Sequence, residues 1–296
     1  MKKEEFEKKI SYGLCIHDGM FHLDDLTVAA LAALYNEYKY GYEYEYLFEN
    51  FDIQRTRNPS IIKQFETVGI VADVGNGEFD HHQPDAKVRP NGVKYAATGL
   101  IWKQMGADLI KLVCDKNDYV PSEEAVDWAA KMFDLNVCQP IDNTDNFGPK
   151  KYPNPLADMI SSYNSNDIHD DEKQYDGFYA AVLLLEQLLQ SDLEKYGRHC
   201  KEYDELTKII NASEDAERIV LPKHFAPTLF IGRDSNVHYI AYPADNGKWN
   251  ISALDSERWP ISFTSEQMPG CTFVHPSKFL AVFDTKEHAL AALVMV

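Results

Sequence analysis

The chain has 296 residues, well above the ~150 of an average domain, so two domains are expected. Asp and Glu outnumber Lys and Arg by 47 to 29, which gives a formal net charge of −18 at pH 7. This balance argues against binding of long duplex nucleic acid, which depends on Lys and Arg neutralising phosphates. It leaves room for short oligonucleotides or small phosphorylated substrates in a pocket where metal ions supply the positive charge.

Cysteine usage and hydropathy indicate a cytoplasmic protein without a membrane partner. The five cysteines are scattered and form no Cys-x-x-Cys pair, which argues against a disulfide framework or a zinc ribbon. Cys15 lies in an apolar strand pattern and is predicted to be a small buried hydrophobe. The N-terminal MKKEEFEKKI has no apolar core of a signal peptide, and no run of ~20 apolar residues occurs.

Strand and helix patterns alternate through the first half of the chain. Strands are predicted for YGLCIH, YEYEYLF and VGIVADV. Helices are predicted for DDLTVAALAALYNEY, with Asp24 or Asp25 as N-cap, for PSIIKQFE, for AATGLIWKQMG, which Gly106 would close, and for PSEEAVDWAAKMFDL. This alternation predicts an α/β fold with a doubly wound, mainly parallel sheet.

The second half begins with a long helical pattern between Tyr175 and Ser213, and short strand patterns follow it. The strand candidates are RIVLP, TLFIGR, HYIAYPADNGKWNISAL and GCTFVH, and the Asn-Gly pair in the third indicates a hairpin turn. A final helix is predicted for DTKEHALAALVMV. The predicted organisation is a first domain over 1–190, a connector helix over 191–214 and a smaller α/β domain over 215–296.

Histidines and aspartates gather where predicted strands end. His17, His22 and Asp24 occupy the turn after the first strand, in IHDGMFHLDD. Asp73 ends a later strand, and the sequence DHH follows it within a few residues. The carboxyl ends of strands line the ligand crevice of an open parallel sheet, so we expect these side chains to meet there.

A further acidic segment, QPIDNTDN, places Asp142 and Asp145 after a predicted helix and beside turn-forming residues. Imidazole and carboxylate without thiolate suit Mn²⁺, Fe²⁺ or Co²⁺ more than structural zinc. Two such ions ~3.5–4 Å apart need a shared carboxylate. Asp73 is central to the set and is the candidate for that bridging role.

Each of these residues also has an ordinary structural explanation. Asp24 alone is explained well as a helix N-cap, and Asp142 as a turn residue that holds its own backbone. His17 and His22, taken singly, are more often core or surface histidines. The joint occurrence of three clusters at strand-end positions favours a metal site.

Five successive motifs resemble those of the MYG (melanocyte proliferating gene) family: HDGMFHLDD, DVGNGEFDHHQ, ATGLIWKQMG, IDNTDN and GCTFVHPSKF. The resemblance runs from about Gly13 to the C-terminus, and FDHHQ and HxxxFHxD are its specific elements. Members of that family resemble DHH phosphoesterases and are linked to 3′–5′ exonuclease action on RNA. The resemblance therefore implies a DHH-like catalytic first domain, a substrate-binding second domain and hydrolysis of phosphodiester bonds.

The resemblance also implies two Mn²⁺ ions in the cleft between the domains, with Mg²⁺, Co²⁺ or Fe²⁺ as alternatives. One ion would be held by His17, His22 and Asp73. The ligands implied for the other ion are Asp24, Asp73, His81 and Asp142. His82 would face the substrate phosphate or the leaving group, which makes Asp73 and His82 the candidate catalytic residues.

Substrate recognition is the point at which the chain departs from the family pattern. After FVH the pattern has a glycine-rich loop, whereas this chain reads SKFLAVFDTK, so phosphate binding by the Ser277–Lys286 loop is an open question. Basic side chains are the remaining candidates, and solvated surface charge explains each equally well. These candidates are Arg55, Arg57, Lys94, Lys278 and, favoured among them, His275 at the end of a predicted strand.

Three functions are consistent with these observations. The leading hypothesis is a two-metal phosphoesterase whose partner is short RNA or a small phosphorylated substrate. The same site could hydrolyse a small phosphoanhydride or a nucleotide. A non-enzymatic protein that keeps metal for binding or regulation is the third interpretation, and the completeness of the ligand set favours an enzyme. The oligomeric state is open, with a homodimer among the options.

Overall fold

The computed structural model describes residues 1–41, 51–167, 170–233 and 235–296. The chain divides into two compact units, Met1–Cys200 and Lys201–Val296. The domain limits expected from the sequence stay a prediction. The strand predicted for YEYEYLF lies outside the described residues.

Within the described part of the first unit, three strands form a parallel sheet. It consists of β1 (Gly13–Ile16), β2 (Asp52–Arg55) and β3 (Ile70–Val71), in the order β2-β1-β3. β1 is buried along its whole length, and Cys15 packs with Val71 in the apolar cluster beside the sheet, as expected for a small hydrophobe. The prediction of an α/β chain with a parallel sheet is confirmed, and its doubly wound arrangement stays a prediction.

Helices precede, connect and follow these strands. Those that begin in the first unit are α1 (Lys3–Tyr12), α2 (Leu23–Tyr40), α3 (Pro59–Phe65), α4 (Ala97–Lys116), α5 (Glu123–Phe133), α6 (Gln139–Phe147), α7 (Pro155–Ser161) and α8 (Asp171–Ala212). A short π-helix, Asp134–Cys138, joins α5 to α6. Among the described residues, no helix combines the length and the apolarity needed to cross a membrane.

The prediction that Gly106 ends a helix is wrong, because α4 continues to Lys116. A Cβ at position 106 would lie 2.5 Å from the ring of Trp102, and that ring is buried and stacked on Phe133. Gly106 is therefore a packing glycine within the helix rather than its C-terminal stop.

The N-cap of α2 is His22, not Asp24 or Asp25. Asp25 occupies the third helical position, and its Oδ1 accepts a hydrogen bond of 2.6 Å from the His22 backbone N–H. The carboxylate of Asp24 instead accepts hydrogen bonds from Ala97 N–H at 3.0 Å and Thr98 N–H at 2.8 Å, at the start of α4. Two adjacent acids thus fasten two different helix starts.

The second unit contains a five-stranded, mostly antiparallel sheet covered by one short helix. In the order β4-β5-β6-β8-β7, the strands are β4 (Arg218–Val220), β5 (Tyr239–Pro243), β6 (Trp249–Ala253), β8 (Leu280–Phe283) and β7 (Cys271–Val274). Helix α9 (Lys286–Leu293) packs Ala289, Ala292 and Leu293 into the apolar core of this unit. The hairpin predicted at Asn246-Gly247 is confirmed as the β5–β6 connection.

Two predictions for the second unit are wrong. TLFIGR contains a 3₁₀ turn, Pro227–Phe230, and not a strand. Arg233 stabilises that turn by donating to the carbonyl oxygens of Leu229 and Tyr203, each at 2.7 Å. The segment expected as the Ser277–Lys286 loop contains β8, which pairs with β6 and β7 and so occupies an inner position in the sheet.

Candidate metal centre

The parallel sheet brings His17 and Asp73 together. His17 directly follows β1, and Asp73 follows the neighbouring strand β3 after one further residue, so both lie at the carboxyl edge of the sheet. The Nε2 atom of His17 lies 3.4 Å from Oδ2 of Asp73. Asp73 has a φ of 56°, a left-handed conformation that Asp adopts more readily than most residues.

His17, His22 and Asp25 form the first group with metal-ligand spacing, because one ligand atom from each lies within 4.8 Å of the others. The Nδ1 atom of His17 lies 2.9 Å from the carbonyl oxygen of Asp18. The Nδ1 proton makes that hydrogen bond, and Nε2 faces Asp73 and Asp25, at 3.4 and 3.7 Å, where a metal ion would replace its proton. Histidine ligands of metals are commonly oriented in this way.

Asp24, His81 and Asp145 form a second group with the same spacing, and Asp73, His81 and His82 form a third. The Nε2 atom of His81 lies 3.2 Å from Oδ1 of Asp73 and 3.1 Å from Oδ2 of Asp145. Its Nδ1 atom faces Oδ1 of Asn146 at 3.4 Å, so Asn146 orients the ring as the Asp18 carbonyl orients His17. Asp73 lies between the first two groups, with Oδ2 towards His17 and Oδ1 towards His81.

Buried carboxylates concentrate negative charge in the centre. Burial raises the pKa of Asp24 well above its usual range, and the negative charges of Asp145 and Asp73 raise it further. Burial also opposes ionisation of Asp73, but its hydrogen bonds with His17 and His81 hold the pKa of that carboxyl below its usual range. The centre would therefore be stabilised by added cations.

Oxygen and nitrogen donors without sulfur suit a hard or borderline divalent ion. Oδ2 of Asp25 is buried and has no hydrogen-bond partner among the described residues. An oxygen in that condition is costly unless a cation or a donor meets it. The residues present thus fit a divalent metal, and a cluster that could hold such an ion agrees with the sequence prediction.

His82 is oriented differently from His81. Its side chain is 60% exposed, and its Nδ1 lies 2.7 Å from Oδ1 of Asp80. Asp80 also accepts backbone hydrogen bonds from His82 at 3.1 Å and from Asn76 at 2.7 Å. A buried carboxylate therefore fixes the imidazole and leaves Nε2 available on the open side.

Asp142 is fully buried but belongs to none of these three groups. Its Oδ2 pairs with Nη1 of Arg89 at 2.7 Å, and its Oδ1 accepts from Gly99 N–H at 3.1 Å. Arg89 also forms a two-point ion pair with Asp134, at 2.9 and 2.6 Å. A Cβ at Gly99 would lie 2.1 Å from Oδ2 of Asp142, so the glycine of the ATGLIWK motif is needed for this close approach.

A cavity of about 520 Å³ opens over these groups. His17, His22, Asp24, Asp73, His82 and Asp145 line it on the metal-centre side. Ile141, Pro149 and Ala157 supply an apolar wall, and Arg57 adds a cationic side chain. This volume is within the range of small-ligand sites.

Comparison with known proteins identifies the family. A family model named MYG1_exonuc, described as an uncharacterised protein family (UPF0160), matches residues 13–267. The chain belongs to the MYG1 family. It is 26% identical to the MYG1 protein of Dictyostelium discoideum over 94% of each chain. It is 24% identical to the MYG1 exonuclease of Homo sapiens over 93% of this chain and 83% of that one.

A solved structure, RecJ from Thermus thermophilus in complex with Mg²⁺, was also matched. The match covers 99% of this chain and 51% of that one at 15% identity. Its TM-score of 0.24 is too low to carry a structural argument.

Of the substrate residues predicted for this MYG1-family chain, Arg57 lines the cavity. Arg55 is half-buried, and its guanidinium packs on Phe178 at 4.6 Å. Lys94 lies near the ring of Phe147 at 5.7 Å. In the second unit, Nζ of Lys278 donates to the Phe263 carbonyl at 2.8 Å, and Nδ1 of His275 accepts from Ser277 N–H at 3.1 Å. Their roles in substrate binding stay predictions.

Four residues of the centre were missed as site residues: Asp25, Asp80, Asp145 and Arg89. Asp80 stands within the DHH motif and Asp145 within IDNTDN, so motif membership was a usable signal for both. The sequence predicts Asp24 or Asp25 as a helix cap; in the structure Oδ1 of Asp25 accepts a hydrogen bond at the helix start, and its Oδ2 faces His17. Arg89 has no local signal, because its partners lie 45 and 53 residues away.

Proposed function

We propose that this chain is a metal-dependent phosphoesterase that hydrolyses phosphodiester bonds and removes nucleotides from the 3′ end of short RNA. The position of Asp73 carries the proposal: its two oxygens lie 3.4 Å from His17 and 3.2 Å from His81, as a shared ligand of two ions requires. The name of the human relative, MYG1 exonuclease, supports a nuclease.

The distances support a revised ligand assignment for two Mn²⁺ ions. His17, His22 and Asp25 would share one ion with Asp73. The proposed ligands of the other ion are Asp24, His81 and Asp145 together with Asp73. Asp145 takes the place expected for Asp142, because Arg89 engages Asp142 instead. When bound, such ions polarise the phosphoryl oxygens and activate the attacking water.

Two side chains at the cavity would handle the substrate. His82, held by Asp80 through Nδ1, would present Nε2 to the leaving oxygen and give it a proton. Arg57 lies in the cavity wall with a side chain that is 61% exposed and would contact a phosphate next to the one that reacts.

The proposal is tested with a 5′-labelled short single-stranded RNA in the presence of Mn²⁺. Wild type should produce a ladder that shortens from the 3′ end, and EDTA should abolish it. Asp73→Ala should lose both the ladder and the bound ions measured by elemental analysis. His82→Ala should keep its ions and lose turnover by roughly 10²–10⁴-fold, the usual contribution of a positioned acid or base. Full metal content in Asp73→Ala would overturn the shared-ligand assignment.

A small phosphorylated substrate is the second candidate. The cavity of about 520 Å³ and the formal net charge of −18 both favour short, compact anions over long strands. Bis-p-nitrophenyl phosphate and pyrophosphate in parallel assays separate the two candidates. Turnover of these compounds with intact RNA would replace the exonuclease proposal by a nucleotide or phosphoanhydride hydrolase.

A further inference from the structure

The loop between β1 and α2 carries two of the proposed metal ligands, His17 and His22. It contains Gly19 with a left-handed φ of 79°, and its buried residues are His17 and Phe21, which are 2% and 1% exposed. Metal ligands on a short loop need external support if they are to keep their spacing. Three side chains that are distant in sequence provide that support.

Asn164 contacts the loop through both the oxygen and the nitrogen of its side-chain amide. Its Oδ1 accepts from the backbone N–H of Phe21 at 2.9 Å, and its Nδ2 donates to the Phe21 carbonyl at 2.9 Å. One amide side chain thus satisfies both backbone polar groups of the residue immediately before His22. Both bonds span 143 residues of sequence, so local chain geometry does not account for them.

Arg55 and Gln174 hold the other half of the loop. Both donate to the Gly19 carbonyl, Arg55 through Nη2 at 2.6 Å and Gln174 through Nε2 at 3.3 Å. The guanidinium of Arg55 also lies against the ring of Phe21, 5.5 Å from its centroid. Arg55, Asn164 and Gln174 together are called the loop clamp below.

Three residues of helix α8, Gly177, Phe178 and Gln174, allow the turn that carries Asn164 to approach the loop. A Cβ at Gly177 would lie 2.1 Å from the carbonyl oxygen of Tyr163, so only glycine lets the turn before Asn164 approach the helix this closely. At the next position, Phe178 packs edge-on against Phe21 at 5.8 Å. Gln174, on the same helix and 4% exposed, accepts from Ser165 N–H at 2.9 Å and so fixes the turn that presents Asn164.

The turn that carries Asn164 also follows α7, whose residues Ala157, Asp158 and Ser161 line the cavity. We propose that the residues of the loop clamp are positioning residues. They set the spacing of His17 and His22 for a metal ion and connect the ligand loop to the cavity wall formed by α7. This inference rests on the metal centre of the proposed function. It assigns Arg55 a role in orienting the loop instead of contacting substrate.

Asn164→Ala tests the proposal, with Asn154→Ala as the matched control. Asn154 caps α7 by accepting from Leu156 N–H at 3.1 Å and Ala157 N–H at 3.3 Å, both within its own helix. Mn²⁺ binding is measured by equilibrium dialysis, and unfolding of the metal-free protein is measured alongside. Asn164→Ala should weaken one of the two binding steps by about 10–100-fold, as loss of a residue that orients metal ligands does, and change the other by less than about three-fold.

The control should bind both ions as wild type does, although losing a cap costs it about 1 kcal/mol of stability. Unchanged binding in Asn164→Ala, or equal weakening in Asn154→Ala, would overturn the loop clamp while leaving the metal centre in place. A wild-type protein that binds no divalent ion would overturn the proposed function as well. If Asn164→Ala does not fold, Gln174→Ala carries the same expectation, and unchanged binding there would count against the proposal.

Discussion

At the scale of single residues, each buried histidine of the centre uses one ring nitrogen for orientation and presents the other to carboxylates. His17 is oriented by the Asp18 carbonyl and His81 by Asn146. The motifs predicted both histidines, because strand ends and a DHH run mark them in the sequence. The orienting groups were not predicted, since a backbone carbonyl has no sequence signature and Asn146 lies 65 residues from its partner.

The choice between Asp142 and Asp145 illustrates the limit at this scale. Both lie on α6 and not, as expected, in a loop, three residues apart on a helix. Residues at that spacing are neighbours on a helix surface, so the sequence alone cannot say which of them faces the histidines. In the structure Arg89 pairs with Asp142, and Asp145 reaches His81 at 3.1 Å.

Substitution of Asp145 should mainly affect metal binding, whereas substitution of Asp142 should mainly affect stability. Asp145→Ala should lose about one bound ion per chain with little change in stability, because Asp145 is partly exposed. Asp142→Ala should lower the free energy of unfolding by about 3 kcal/mol, because it removes one partner of a buried ion pair. Elemental analysis and denaturant unfolding measure the two effects. Loss of metal in Asp142→Ala with unchanged stability would restore Asp142 as a ligand.

At the scale of elements, periodicity predicted helices and strands well wherever one face is buried. The buried strand β1 and the helices α2 and α8 lie where the sequence patterns place them. The errors arose where packing overrides local preference. Gly106 packs against the ring of Trp102 and does not end its helix. The Leu280–Phe283 segment is a strand because β6 and β7 pair with it.

Helix α8 also contains a buried glutamate whose contribution to stability depends on pH. Glu186 is 2% exposed, and neither of its carboxyl oxygens has a hydrogen-bond partner among the described residues. Burial, with a contribution from Glu37, raises its pKa to about 7 from an ordinary value of 4.5. Because the folded state binds the proton more tightly, the stability that Glu186 contributes is full below pH 4.5 and is lost as the pH rises through about 7.

Glu186→Gln should therefore raise the free energy of unfolding by roughly 1–3 kcal/mol at pH 8 and change it little at pH 4.5 or below. Denaturant unfolding across this pH range measures the effect. Glu172→Gln, an exposed position on the same helix, serves as the control and should show no pH-dependent gain. An equal gain for both variants would attribute the effect to net charge instead of burial.

At the scale of the whole molecule, the acidic surface and the metal centre act on a substrate in opposite directions. A formal net charge of −18 repels an approaching oligonucleotide, while the ions proposed for the centre would attract its reacting phosphate. Repulsion from exposed charges acts over distances that salt screens, and contacts within the cavity are screened much less.

Ionic strength should therefore accelerate the reaction with longer substrates. Between 0.01 and 0.15 M salt, where the Debye length falls from about 30 to about 8 Å, kcat/KM for a ten-nucleotide RNA should rise several-fold. The value for bis-p-nitrophenyl phosphate, which carries one charge, should change much less. Steady-state kinetics at fixed Mn²⁺ measures both. A fall in kcat/KM for the RNA with salt would point to a basic binding surface that the charge balance does not predict.

The sequence by itself determined the family, the α/β character and most of the candidate ligands, because strand ends in a parallel sheet are local features that motifs can mark. Only the tertiary structure decided which acid faces which histidine, that Arg89 engages Asp142, and that Arg55, Asn164 and Gln174 hold the ligand loop. The Arg89 contact and the loop-clamp contacts join residues 36 to 155 positions apart. Their energies depend on distance and burial in the folded chain, and local sequence patterns specify neither.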